Sequence, residues 1–398
     1  MKLWPNSNQK RIYADAAAAT PLSGSVEKEL VRLLRLYGNP SALHKEALAA
    51  AHELDQARER IARAVAAHAD EIIFTAGGTE ANNLAIFGVL RTFLQEGEKV
   101  HAITSAIEHS SVLEPLRALV REGLTLTELP VGEGGLVDAK VLREALTEDT
   151  AFVSIQMVNS EIGAVQDIRE LAKAIRHERT RRNEGLPLYF HTDASQAPLW
   201  LPLHVERLGV DLLTLDAQKI MGPKGAGALY IKRGVVLTPH IYGGGQERGL
   251  RSGTENVAFA GALAVALEEA QKDAEENAKH ISYVGDTLFN EIKKRLPGVE
   301  LNGTAGEWRV ANNLNIYIPN LNGDMAVVAL DREGIAASTR SACDTDDENP
   351  SHVLSALGYS PERAKNSIRL TLLPTATEGE AKQIAETLLE VFERYSQK

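Results

Sequence analysis

The sequence predicts an α/β protein in which a seven-stranded, mostly parallel sheet is flanked by helices and followed by a smaller α+β domain. Seven short apolar, β-rich runs occupy residues 71–75, 100–104, 124–129, 151–158, 188–193, 210–215 and 227–232, the pattern of buried strands. Helical patterns at 80–95, 110–121, 139–146 and 168–182 separate most of them, which requires crossover connections and parallel neighbours. After residues 249–256 the pattern changes to one long helical stretch, 257–296, then strands at 312–318, 335–338 and 367–372 and a terminal helix at 378–395. The expected organisation is an arm at 1–14 packing with the small domain, a large domain at 15–258 and a small domain at 259–398 that carries Cys343. No repeat, low-complexity tract or long Pro/Gly/Ser linker separates these parts, so they are expected to pack intimately.

At 398 residues the chain exceeds what one ordinary core fills, which favours two packed domains. No apolar run approaches the length of a membrane span, and Met1 to Arg11 lacks the apolar region of a secretory signal; a cytoplasmic protein without membrane insertion is expected. A net charge of −11 opposes nonspecific attraction to nucleic acid, so direct DNA binding is not expected, while a basic protein partner stays open. The single cysteine excludes an internal disulfide and any multi-cysteine metal site held by this chain alone; no metal is expected.

Six segments carry candidate chemistry. Phe74 to Glu80 runs from a strand through Gly77 and Gly78 into a helix, where backbone N–H groups and the Thr79 hydroxyl can meet a phosphate; close packing is the other use of such glycines. Asp193 stands just past an apolar strand and needs a cationic partner, such as a protonated ring nitrogen, or else serves as a helix N-cap. Lys219 ends another strand run and can form a Schiff base with an aldehyde if burial removes its proton, whereas Lys224 reads as a solvated lysine. Cys343 precedes the acidic, turn-prone stretch 344–350, which favours a reactive exposed thiol over a buried one. His109, between a strand and a helix, can lie over a planar ring, and Arg369, within an apolar strand, requires a carboxylate from the protein or from a substrate.

As a set, these segments resemble cysteine desulfurases of the NifS/IscS type, within the class V aminotransferase-like enzymes that use pyridoxal 5′-phosphate (PLP). The resemblance covers nearly the whole chain. It runs from Ala14-Asp15 and Gly38-Asn39-Pro40-Ser41 through Gly78-Thr79-Glu80, Glu108-His109, Val158 to Gly163, Asp193 to Gln196, Lys219 with Gly222 to Gly225, Gly243 to Gly249, Arg251 to Thr254 and Ser341-Ala342-Cys343. It implies the fold type I architecture of PLP-dependent transferases. By resemblance, Lys219 holds the cofactor and carries protons, His109 stacks on its ring, and Asp193 partners the ring nitrogen. Asn159 and Gln196 bond the phenolic oxygen, while Gly78 and Thr79, in company with Asp216 and Gln218, surround the phosphate end. Thr254 reaches the partner subunit's phosphate, implying a homodimer, and Arg369 grips the substrate carboxylate with Asn39 nearby. The implied reaction converts L-cysteine to L-alanine and leaves its sulfur on Cys343 as a persulfide for an acceptor protein of iron–sulfur cluster assembly or tRNA thiolation.

Three residues depart from the family pattern. Asp216 stands where a serine is usual, and two anions there repel unless Asp216 is protonated, turned away or bridged by a cation. Gln218 replaces a histidine, keeping hydrogen-bonding capacity without a titratable group. Arg340 replaces a glycine before Ser-Ala-Cys. The competing readings are another PLP-dependent lyase or transaminase acting on a small amino acid, selenocysteine included, and a degenerate member serving as a binding scaffold.

Overall fold

The computed structural model describes residues 11–182, 185–339 and 351–396. The strands are β1 (Ile12–Tyr13), β2 (Ile72–Thr75), β3 (His101–Ser105), β4 (Thr125–Leu129), β5 (Thr150–Ser154), β6 (Tyr189–Asp193), β7 (Leu212–Asp216), β8 (Gly227–Ile231), β9 (Glu300–Leu301), β10 (Asn313–Tyr317), β11 (Ile335–Ala336) and β12 (Ser367–Thr371). Helices α1 (Gly24–Leu33), α2 (Lys45–Ala64), α3 (Gly78–Gln95), α4 (Ser110–Val120), α5 (Ala139–Ala145), α6 (Ile168–Arg181) and α7 (Val205–Leu208) precede the long α8 (Val257–Arg295). After it come α9 (Gly323–Arg332), α10 (His352–Ala356), α11 (Pro361–Lys365) and α12 (Glu378–Tyr395).

All seven strands expected from the apolar runs join one sheet in the order β2-β8-β7-β6-β5-β3-β4. Only β8 runs antiparallel to its neighbours β2 and β7, so the other six strands end at one common edge. The sheet is apolar on both faces because each face meets helices. Ile73, Phe152, Leu212 and Leu229 pack with α3 and α4 on one side, while Ile72, Phe74, Val153, Leu213 and Leu215 join the core against α2, α6 and α8 on the other. The expected run at 151–158 stops early as a strand. Ile155 and Met157 still donate to β6 at His191 O and Asp193 O, but Gln156 N turns to the Glu108 carboxylate, which ends the ladder on the β3 side.

Helix α8 is 39 residues long, about 58 Å at 1.5 Å per residue, and packs against α1, α2 and α12. Beyond it lies an antiparallel sheet ordered β12-β10-β9. The expected strand at 335–338 does not join this sheet through β11, which pairs in parallel with β1; Ser338 instead makes an isolated bridge to Arg369 of β12. Asp15, just after β1, bridges Thr371 of the same strand. Among the described residues, no helix is long and apolar enough to cross a membrane.

The segment 247–249 is pinned to β2 by charge. Arg58 makes a paired contact with Glu247 at 2.6 and 2.8 Å, the Glu247 carboxylate also accepts from Phe74 N at 2.8 Å, and the guanidinium lies 4.7 Å from the Phe74 ring centre. Glu247 and Arg248 both adopt left-handed backbone, with φ of 49° and 58°, which the surrounding contacts must hold in place. Removing the carboxylate leaves Arg58 without its counter-charge. Glu247→Ala is expected to cost about 3–5 kcal/mol, lowering the thermal unfolding midpoint of the purified protein; a shift worth less than about 1 kcal/mol contradicts this assignment.

Candidate active site

The common edge of the sheet is where a parallel α/β fold presents ligand-binding groups. A cavity of about 260 Å³ opens there, lined by Gly78 and Thr79 after β2, His109 after β3, Gln156, Val158 and Ser160 after β5, Asp193, Ser195 and Gln196 after β6, and Asp216, Gln218 and Lys219 after β7, with Ala17, Ala18, Ser111 and Arg369 completing it. The groups that follow β2, β3, β5, β6 and β7 meet at the cavity because those strands point the same way, whereas Arg369 enters from β12 of the smaller sheet.

Gly77 caps α3 with φ +144°, a conformation open to glycine. Gly78 follows as the first helical residue, and a Cβ there would meet Ser195 Oγ at 3.0 Å and Asp216 Cβ and Oδ2 at 3.2 Å. The absence of a side chain therefore leaves the helix N-terminus, with its unpaired N–H groups and positive dipole end, open beside those two residues.

Asp193 is held on both oxygens, by Ser195 N at 2.9 Å and Asn82 Nδ2 at 2.8 Å. Asn82 Nδ2 also donates to Ser111 Oγ at 2.9 Å, and Ser111 lies 2.7 Å from His109 Nδ1. Ser111 N donates to the same ring nitrogen at 3.1 Å, so Nδ1 is the acceptor and the neutral ring carries its proton on Nε2. A continuous path of hydrogen bonds thus runs from His109 through Ser111 and Asn82 to Asp193. Below Asp193, His191 is fully buried between Ser154 Oγ and Thr214 Oγ1 at 2.8 and 3.1 Å. Burial lowers its pKa to about 4 against the opposing pull of Asp193, so it sits neutral under the carboxylate.

Lys219, one 3₁₀ turn beyond β7, donates from Nζ to Ala17 O at 2.9 Å and Ala18 O at 2.6 Å; Gln196 Nε2 shares Ala17 O at 2.9 Å. Arg369 is 1% exposed. Its Nη2 meets Asp15 Oδ1 at 2.8 Å and its Nη1 meets Ser160 O at 3.3 Å, while Nε is buried without a hydrogen-bond partner. A charged group buried at a cavity wall with one donor unused is suited to receive an anion.

Three expected residues do not line this cavity. Asn159 accepts on its side-chain carbonyl from Glu161 N and Ile162 N and donates to Ile107 O, tying the 159–162 turn to the segment before His109; Gln156 lines the cavity nearby. Asn39 is exposed and accepts from Ser41 N within its own turn. Thr254 is exposed and borders a second cavity of about 280 Å³ with Thr75 and Arg251. Asp216 is not turned away from the site: it is buried and lines the cavity. Cys343 and Arg340 lie outside the described residues. Asn82, Ser111, Gln156 and the Ala17 and Ala18 carbonyls were not singled out from the sequence, and Asp15, quoted within the resemblance, was given no role.

The class-V aminotransferase family profile matches residues 12–384. A protein of Dictyoglomus turgidum named cysteine desulfurase IscS is 40% identical over 387 residues, covering 97% of this chain and 95% of that protein. One of the same name from Methanosarcina thermophila is 37% identical over 390 residues, covering 98% and 94%. Among solved structures, a NifS-like protein superposes with a TM-score of 0.89 at 33% identity over 97% of this chain and all of the other. A structure described as SspA in complex with cysteine gives a TM-score of 0.80 at 34% identity, covering 92% of this chain and all of that one.

Glu108, directly before His109, is wholly buried, with its carboxyl receiving Ser105 Oγ at 2.5 Å and Gln156 N at 2.9 and 3.0 Å. Burial, reinforced by the charge of Asp193, raises its pKa to about 8 although these hydrogen bonds pull it back. The unfolded chain releases this proton near about 4.3, so between that value and about 8 the folded state binds the extra proton. Its stabilising effect is full below the lower value and is lost as pH rises through the upper one. His191 acts oppositely but only below about 6.5, its unfolded value. Between pH 6.5 and 8.5 the unfolding midpoint of the native protein should therefore fall more steeply than that of Glu108→Gln, whereas parallel curves contradict the shift.

Proposed function

The chain belongs to the class-V aminotransferase family, and from that premise we propose that it is a PLP-dependent cysteine desulfurase, converting L-cysteine to L-alanine and passing the sulfur to Cys343. The observation that carries this reading is the convergence on one cavity of Lys219, the anchored Asp193 carboxylate and the buried guanidinium of Arg369. These groups fit the cofactor: a lysine for its aldehyde, a carboxylate for its ring nitrogen, His109 for its face, and an open helix N-terminus at Gly78 and Thr79 for its phosphate. When bound, PLP supplies an electron sink for charge developing at the substrate Cα.

The side chains then divide the work. Arg369 would take the substrate carboxylate, and Lys219, its Nζ held by the Ala17 and Ala18 carbonyls, would move the proton at Cα as the free, neutral amine. Asp193 keeps the ring nitrogen protonated, and the neutral His191 beneath it adds no competing positive charge. The Cys343 thiolate attacks the substrate sulfur. A sulfur–sulfur bond forms, the Cβ–S bond breaks, and its electron pair stays on the substrate carbon to be protonated, giving alanine and a Cys343 persulfide.

The chain before Cys343 is anchored at this cavity and the chain after it to residues next to those that line it. Ser338 exchanges backbone hydrogen bonds with Arg369 at 2.6 and 3.1 Å, and Cys343 lies five residues on, a reach of at most about 18 Å. Downstream, Ser351 bonds Glu161 and His352 Nε2 donates to Glu108 O at 3.0 Å. The persulfide's recipient is a sulfur-acceptor protein of iron–sulfur cluster assembly or tRNA thiolation. A homodimer suits the exposed Tyr37, Leu43 and Tyr242, which are 84%, 91% and 80% accessible, and the outward position of Thr254.

The test is product analysis with L-cysteine, PLP and a thiol reductant. The native protein should yield alanine and sulfide in equal amounts; Lys219→Ala and Cys343→Ala should each lose at least about a hundredfold in turnover. A keto acid formed independently of Cys343 would identify a transaminase instead, and no turnover despite saturating PLP would leave the scaffold reading.

A further inference from the structure

We propose that Asp216 sets how firmly the cavity retains a phosphate-bearing cofactor, by placing a fixed negative charge at the same helix end that the phosphate needs. The proposal rests on the cofactor reading above. Asp216 is 7% exposed at the end of β7, and its Oδ2 stands 3.2 Å from where a Cβ on Gly78 would lie. It thus shares the N-terminus of α3 with any anion drawn to the Gly78 and Thr79 backbone.

The carboxylate is held there. Asp216 Oδ1 accepts from Gln218 N at 3.2 Å, capping the 3₁₀ turn that carries Lys219, and Oδ2 accepts from Gln218 Nε2 at 3.1 Å. Both donors are neutral, and no arginine or lysine among the described residues forms a salt bridge with Asp216. Swinging away would uncap the 3₁₀ turn. The positive end of α3 compensates this buried carboxylate when the site holds no phosphate. A phosphoester entering the same end meets a like charge in a partly dehydrated setting and receives less of the helix's attraction. Retention is weakened for phosphorylated ligands alone, which makes the cofactor exchangeable.

The prediction separates charge from shape. Kd is measured by absorbance and fluorescence titration of apo-protein with PLP and with pyridoxal, which has the same ring and aldehyde but no phosphate, for the native protein, Asp216→Asn and Asp216→Ser. Asparagine keeps the cap to Gln218 N, so a folding defect is not expected. Asp216→Asn should tighten PLP by at least about tenfold and leave pyridoxal within about twofold; Asp216→Ser should show the same preference. Unchanged or weaker PLP binding in Asp216→Asn overturns the proposal, as does equal tightening of both ligands, which would mean relief of general crowding. Absence of saturable binding of either compound by all three proteins overturns the cofactor reading and this proposal with it.

Discussion

The parallel run of β6 and β7 is the constraint on which the cavity depends. It delivers Asp193 and Asp216 to one edge, and with the turn after β7 it brings Lys219 back over the same ground. Charged groups at that depth need partners built from the protein. The network from Asp193 through Asn82 and Ser111 to His109 supplies one set, and the segment Asp15 to Ala18 supplies another, pairing with Arg369 and accepting from Lys219. Because β1 leads into that segment and pairs with β11, the N-terminal strand, the lysine and the arginine are mechanically linked. A shift of β1 would loosen both cationic groups at once.

Much of the scaffold was legible because β2, β5, β7 and β8 are buried along their whole length and so read as short apolar runs. The alanine-rich α2 was not: it buries Ala47, Ala50, Ala57 and Ala62 alongside only Leu54 and Ile61, a stripe with little contrast to its flanks. The strands β1 and β9, two residues each, are too short to show any period; a strand was expected at 335–338, but the pairing of β11 with β1 was not. Strand 151–158 was read too long because nothing local announces that Gln156 N will turn to Glu108, a residue nearly fifty positions earlier.

The candidate site was legible where a charge stood at or just past a strand end, as with Asp193 and Lys219, or within an apolar strand, as with Arg369. It was not where backbone carbonyls do the work, since Ala17 and Ala18 carry no side-chain signal, nor at Asn82, which reads as one polar residue on a helix. The motif around Asn159 pointed to a ligand contact; its side-chain carbonyl accepts from its own turn, and Gln156 borders the cavity, a placement set by packing that the motif does not carry. Likewise Asn39 bonds Ser41 in an exposed turn, a choice made by three-dimensional context. Asp216 is the opposite case, a departure visible in sequence whose orientation only the packing against Gly78 could decide.

The central claim is that Lys219 forms the covalent link to the cofactor. The direct measurement is to incubate the protein with PLP, reduce with borohydride, digest, and locate the added mass by peptide sequencing. The account predicts a single stoichiometric pyridoxyl group on Lys219, lost from Lys219→Arg. Label spread over surface lysines such as Lys224, or undiminished in Lys219→Arg, would contradict it.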